Sequence, residues 1–92
     1  MIGYCECEFK IYDSQSLKAK RAVLQRALTR VKQKCNVSIA EVDHQDVWQL
    51  TKFAIAAVSS SQRAAERELN NAIKFLDSFP EWERGTTTFE WL

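Results

Sequence analysis

A cluster of basic side chains is the feature of this sequence best suited to chemistry with a ligand. Residues 14–35 contain seven Lys or Arg and no Asp or Glu. On a helix, basic residues at every fourth position share one face and repel each other, so such a face is suited to binding phosphates. The alternative is a solvated face that acidic residues elsewhere partly neutralise. We select six candidates for contact with nucleic-acid phosphates: Lys18, Lys20, Arg21, Arg26, Arg30 and Lys34.

A second polar cluster, residues 43–46, contains the only histidine of the chain, His44. A carboxylate beside an imidazole is suited to divalent metal, but a metal site needs three or four converging ligands. We interpret this stretch as a polar turn in which Asp side chains accept backbone amides, and we predict no metal and no cofactor. Trp48 is a candidate packing anchor or interface residue, and Gln45 and Gln49 are candidate hydrogen-bonding residues at such an interface.

The cysteines and the serines do not form a recognisable catalytic arrangement. Cys5 and Cys7 would lie on one strand face and Cys35 at a helix end, a pattern typical of core packing. Zinc or redox sites favour the two-residue gap of a Cys-x-x-Cys motif or a further pair of cysteines. No glycine-rich phosphate loop is present, and no histidine is placed to activate a serine. We therefore expect no enzymatic activity.

Length and composition restrict the class of protein. The chain has 92 residues, 46% of them hydrophobic and 27% charged, with a net charge of +1. These values predict one globular domain spanning 1–92 rather than a disordered chain. No apolar run reaches the roughly 20 residues of a membrane helix, and the N-terminus has no signal-peptide pattern. With three cysteines and no secretion signal, we expect a cytoplasmic protein without membrane contact.

Periodicity predicts six elements that position these residues. Alternation over residues 2–12 indicates a strand, and Leu17 begins a helix of about 18 residues. Two further strands are predicted at 37–43 and 51–58, then a helix that ends before Pro80, and a last strand at 86–92. The order βαββαβ predicts an α+β, ferredoxin-like fold, with two helices on one face of a four-stranded antiparallel sheet.

Helix boundaries are predicted from capping chemistry. Ser14 and Ser16 are both candidate N-caps of the first helix. Asn36 at its end is a residue type that tolerates left-handed backbone geometry. Ser59 is predicted to cap the second helix, because Gln62 three residues later completes a capping box.

The third strand is apolar on both faces, although two helices can cover only one face of the sheet. Such a strand predicts either a partner over the open face or a central strand shielded by its neighbours. On the first interpretation Phe53 joins Trp48, Gln45 and Gln49 as an interface candidate. We then expect self-association as a homodimer or a higher oligomer.

Two segments together closely resemble the YlxP-like family of bacterial proteins. They read SLKAKRAVL at 16–24 and NVSIAEVDHQDVWQ at 36–49, and the resemblance extends over the whole chain. It implies a ferredoxin-like fold and no known molecular function. In many bacteria the family's gene lies beside genes for initiation factor two and ribosome-binding factor A. We therefore expect an accessory protein that contacts ribosomal or other structured RNA through the basic helix; the alternative is a protein-interaction module acting through the open sheet face.

Overall fold

The computed structural model describes residues 1–13 and 15–92. In chain order the elements are β1 (Ile2–Ile11), α1 (Leu17–Lys34), β2 (Ser38–Asp43), β3 (Leu50–Val58), α2 (Gln62–Asp77) and β4 (Trp82–Trp91). All neighbouring strands pair antiparallel, in the order β2-β3-β1-β4. The predicted βαββαβ order and α+β ferredoxin-like fold are confirmed.

Strand β1 lies in the interior of the sheet, and its alternating sequence corresponds to one buried face and one open face. Its odd-numbered residues from Gly3 to Ile11 are buried, and from Gly3 to Phe9 they pair with buried residues of β3. The even-numbered residues lie on the opposite, open face. Both helices cover the odd-numbered side, because only that side presents a continuous apolar surface.

Aromatic rings fill the core beneath the two helices. The Trp82 ring centroid lies 5.0 Å from that of Phe9, 5.7 Å from that of Phe53 and 5.6 Å from that of Phe79. The Trp82 indole Nε1–H donates to the Leu76 carbonyl at 2.7 Å, so its polar group is satisfied inside the core. This cluster joins β1, β3 and β4 to the end of α2.

Three predictions of helix ends have different outcomes. Ser16 caps α1, its hydroxyl accepting from the Ala19 amide at 3.1 Å, whereas the alternative cap Ser14 lies outside the described residues. Helix α2 is capped by Ser61 rather than Ser59. The Ser59 amide instead donates to the Met1 carbonyl at 3.0 Å, so its backbone continues the sheet and the helix starts later.

Two other boundaries differ from the expectation. Asn36 is not left-handed: α1 ends in extended backbone at Cys35, whose amide donates to Val31. Strand β4 begins at Trp82, four residues earlier than predicted, because Trp82 pairs with Ile11. Gly85 therefore lies inside β4, opposite the register shift of β1, where a glycine commonly accompanies a bulge.

Candidate nucleic-acid interface

Helix α1 packs on the sheet through Leu24, Ala27 and Val31, which are buried. This packing sets the orientation of the basic residues, since each lies at a fixed angle from the buried stripe. They do not form one uniform surface. One residue is buried, one is paired with a carboxylate, and the rest are exposed on two sides of the helix.

Lys20 is buried, and its predicted role as a phosphate contact is wrong. The side chain is 1% exposed, and Nζ donates to the carbonyls of His44 at 2.5 Å and Val47 at 2.7 Å. Nζ also lies 3.1 Å from Glu41 Oε2. With these three partners the ammonium is satisfied inside the protein. The signal for this burial was present in the sequence, since Lys20 precedes Leu24 by four residues and shares its face.

Arg26 and Arg30 are exposed on the side of α1 that lies next to the segment following α2. The Arg26 guanidinium pairs with Glu81 Oε2 at 2.5 Å, which offsets its charge. Both guanidinium carbons lie over the Phe79 ring, at 5.9 Å for Arg26 and 5.6 Å for Arg30. Arg30 has no ion pair with any of the described residues, so its stacked guanidinium retains an unpaired charge.

The remaining predicted residues Lys18, Arg21 and Lys34 are exposed and make no ion pair within residues 1–13 and 15–92. Lys32, which was not selected among the six candidates, is exposed in the same way. Arg21 and Lys32 line a groove between α1 and β2. The missed signal is the spacing of eleven positions between them, which is about three helical turns and places both on one side.

The open face of the sheet has a different character, because carboxylates occupy it. The Tyr4 hydroxyl donates to Glu6 Oε2 at 2.6 Å, and this hydrogen bond raises the pKa of Tyr4 to about 12. Lys52 Nζ lies 3.6 Å from Glu6 Oε1, and His44 Nε2 lies 2.9 Å from Glu8 Oε2. The carboxylates of Glu6 and Glu8 would repel a phosphate, and Lys52 is already engaged by Glu6, so this face is poorly suited to binding phosphate.

Phe53 does not belong to the open face, and its assignment as an interface residue is wrong. Its side chain is fully buried in the aromatic core, 5.8 Å from the Phe9 ring centroid. The reason is the register with β1, in which Phe53 pairs with Cys7 on the helix-covered side. On the open side of β3, Ala54 and Ala56 are only half-buried.

The turn between β2 and β3 carries the other interface candidates. The predicted polar turn is confirmed: the His44 amide donates to Asp43 Oδ1 at 2.8 Å, and His44 has a φ of 64°. Trp48 is 45% exposed, and the side chains of Gln45 and Gln49 are exposed as well. Trp48 is therefore a surface residue rather than a core anchor.

Comparison with known proteins identifies the family. The model of a family described as "Protein of unknown function (DUF503)" matches residues 2–88. The chain belongs to the DUF503 family. It is 60% identical over 91 residues to the "Uncharacterized protein YlxP" of Bacillus subtilis (strain 168), covering 99% of each chain. The YlxP-like resemblance is thereby confirmed, and membership of the DUF503 family brings no described activity, so a functional assignment depends on the site itself.

The cysteines of this DUF503 chain are the other residues that could carry chemistry, and the structure gives them a packing role. The prediction that Cys5, Cys7 and Cys35 pack in the core is confirmed, since all three are buried and free. The hydrogen bond with Cys7, together with burial, raises the pKa of the Cys5 thiol, and burial raises that of Cys35. Among the described residues no group of three or more His, Cys, Asp or Glu is arranged to hold a metal ion. None of the described helices is long and apolar enough to cross a membrane.

Proposed function

We propose that this protein is a non-enzymatic accessory factor that binds ribosomal or other structured RNA through the exposed basic side chains of α1. The observation that carries the proposal is a set of cations with no ion pair among the described residues, on a helix without any acidic residue. The set differs from the sequence-based one by losing Lys20, which is buried, and Arg26, which pairs with Glu81, and by gaining Lys32. It comprises Lys18, Arg21, Arg30, Lys32 and Lys34.

The physical argument is electrostatic and does not involve recognition of bases. Contacts from Lys and Arg to phosphates release counterions, which favours binding irrespective of sequence. Arg30 is held over Phe79, so it loses little side-chain freedom when it contacts a phosphate. The net charge of only +1 means that attraction must come from this local surface rather than from the whole molecule.

The choice of ribosomal RNA depends on the family resemblance. The genes that neighbour the family in many bacteria encode factors of translation initiation and ribosome maturation. That association supports a structured RNA of the ribosome as the first ligand to test.

The test is binding to purified ribosomal subunits and ribosomal RNA across a salt series. The site variant carries Lys18→Gln, Arg30→Gln and Lys34→Gln, and a matched control carries Arg63→Gln, Arg67→Gln and Lys74→Gln on exposed positions of α2. Each variant loses three positive charges, so the net charge is the same in both.

We expect the wild type and the α2 control to bind with similar, steeply salt-dependent affinity. The α1 variant should bind more weakly, and its slope of log K against log salt should be shallower by roughly 2–3. Equal losses in both variants would mean that only net charge matters. Absence of binding by the wild type at low salt would refute the proposed function.

A second candidate function is a protein-interaction module. The observation in its favour is the exposed Trp48 in the turn between β2 and β3, rather than the open sheet face on which the sequence-based alternative relied. This surface is separate from Arg30 and Lys34, so the two functions are compatible in one molecule.

A further inference from the structure

The hairpin tip, defined as residues 43–49, combines exposed apolar side chains with acidic ones. Val47 is 40% exposed and Trp48 45% exposed. Asp43 and Asp46 are exposed beside them, and residues 36–50 contain no Lys or Arg. A large exposed aromatic residue surrounded by charges of one sign is typical of a protein-binding surface.

Hydrogen bonds from α1, from β1 and from within the turn itself fix the conformation of the hairpin tip. Lys20 Nζ donates to the carbonyls of His44 and Val47 from inside the protein. The Val47 amide donates to the His44 carbonyl at 3.0 Å, and the Ile11 amide donates to the Gln49 carbonyl at 2.8 Å. Trp48 is therefore presented on an ordered backbone, which lowers the entropy that binding would cost.

A groove of about 280 Å³ lies between α1 and the edge strand β2, and its chemistry is complementary to the hairpin tip. Leu24 and Leu28 supply its apolar surface, and Arg21 and Lys32 supply positive charge. Glu41 also lines it, but this carboxylate is engaged by Lys20 at 3.1 Å and by the Thr51 hydroxyl at 2.7 Å. The unpaired charge of the groove is therefore positive.

We propose that the groove binds Trp48 from a second copy of this chain. The indole would cover Leu24 and Leu28 between the cations Arg21 and Lys32, which favour the face of an aromatic ring. Asp43 and Asp46 of the hairpin tip would lie near the same two cations.

The proposed contact between hairpin tip and groove can form twice in a two-fold dimer. The hairpin tip continues directly from β2, and Glu41 of β2 lines the groove, so both surfaces lie at the same edge of the molecule. Each copy can then supply one tip and one groove, as a two-fold interface requires. The dimer would cover Arg21 and Lys32, so in the dimer the proposed RNA contacts would be made by Arg30 and Lys34 rather than by the full set of five residues.

The first experiment measures the dissociation constant of the dimer by sedimentation equilibrium. Trp48→Ala is expected to raise it by about tenfold or more, because a central aromatic anchor is lost. Phe89→Ala is the matched control, since Phe89 is likewise 45% exposed but lies on β4, at the opposite edge of the sheet. It should leave the constant unchanged. Circular dichroism checks that both variants are folded.

The second experiment mixes two complementary variants. Trp48→Ala removes the residue that is inserted, and Arg21→Glu with Lys32→Glu alters the groove that receives it. Neither variant alone retains an intact contact, but the mixture retains one, from the unaltered Trp48 to the unaltered groove. We therefore expect the mixed dimer to form more tightly than either variant with itself.

A wild type that stays monomeric across the concentration series would overturn the proposal, as would a Trp48→Ala variant that dimerises like the wild type. Equal weakness of the mixture and the separate variants would contradict the tip-to-groove contact. RNA binding is measured separately and should survive Trp48→Ala, so a failure of this proposal is distinguishable from a failure of the proposed function.

Discussion

Lys20 Nζ lies 3.1 Å from Glu41 Oε2 in a site where Lys20 is 1% exposed, which joins the first turn of α1 to β2. The same ammonium donates to two carbonyls of the hairpin tip. Lys20 was selected as a phosphate contact because of its residue type, but in the structure it connects α1, the edge strand β2 and the hairpin tip. Its charge contributes nothing to the outer face of α1.

Lys20→Met should destabilise the fold while nearly preserving side-chain volume. The variant removes the partner of a largely buried carboxylate, leaves the Val47 carbonyl without its Lys20 donor and removes one of the two donors to the His44 carbonyl. We therefore expect a loss of about 3 kcal/mol of unfolding free energy. Urea denaturation followed by circular dichroism measures this loss. Amide hydrogen exchange should accelerate most at the Val47 amide, because the hairpin tip loses its internal support.

Lys18→Met is the control, since Lys18 is exposed on the same helix and makes no ion pair within the described chain. Its unfolding free energy should change by no more than about 0.5 kcal/mol. Equal stability of the two variants would contradict the structural role of Lys20.

The fold was predictable because its pattern is carried by many residues at once. The alternation of β1 and the helical spacing of α1 each specify a buried face, and a single misassigned residue does not change either. Boundaries were less predictable because they depend on one or two contacts. Ser59 and Ser61 are both capable caps, and only the pairing of Ser59 with Met1 decides between them.

The sequence predicted that α1 is rich in basic residues. It did not predict which of these residues are engaged by carboxylates in the folded protein. Sequence periodicity does not reveal that Glu81, 55 residues after Arg26, comes within hydrogen-bonding distance of it. Phe53 was misplaced for a related reason: both faces of β3 are apolar, so its alternation alone cannot say which face the helices cover. The register with β1 supplies that information.

Gly3→Ala should destabilise the protein because a side chain does not fit there. A Cβ on Gly3 would lie 2.5 Å from the Trp91 ring and 3.0 Å from Leu69 Cδ1. We expect a loss of about 1–3 kcal/mol, measured by thermal or urea unfolding. Gly85→Ala is the matched control, since the nearest atom to its Cβ would be the Glu8 carbonyl oxygen at 3.6 Å. Similar losses at both positions would argue against the close packing of Trp91 on β1.

The three thiols should react slowly with a disulfide reagent in the native protein. Cys5 and Cys7 are 0% exposed and Cys35 is 8% exposed. The raised pKa of Cys5 and of Cys35 further disfavours the reactive thiolate at neutral pH. All three should react at once in denaturant. A thiol that reacts in the native state as fast as in denaturant would contradict the buried assignment.

The phenol of Tyr4 should titrate above its ordinary value of 10.0, at about 12, because its hydroxyl donates to Glu6. Since the folded pKa is raised, the associated stability is fully present below pH 10 and is lost as the pH rises through about 12. The tyrosinate absorbance reports this titration. The pKa of Tyr12 is also raised, by a hydrogen bond with Glu83, so the measurement uses a Tyr12→Phe background. In that background Glu6→Gln removes the charged acceptor, and the Tyr4 midpoint should fall towards 10.0. An unchanged midpoint in the folded variant would show that Glu6 does not control the phenol.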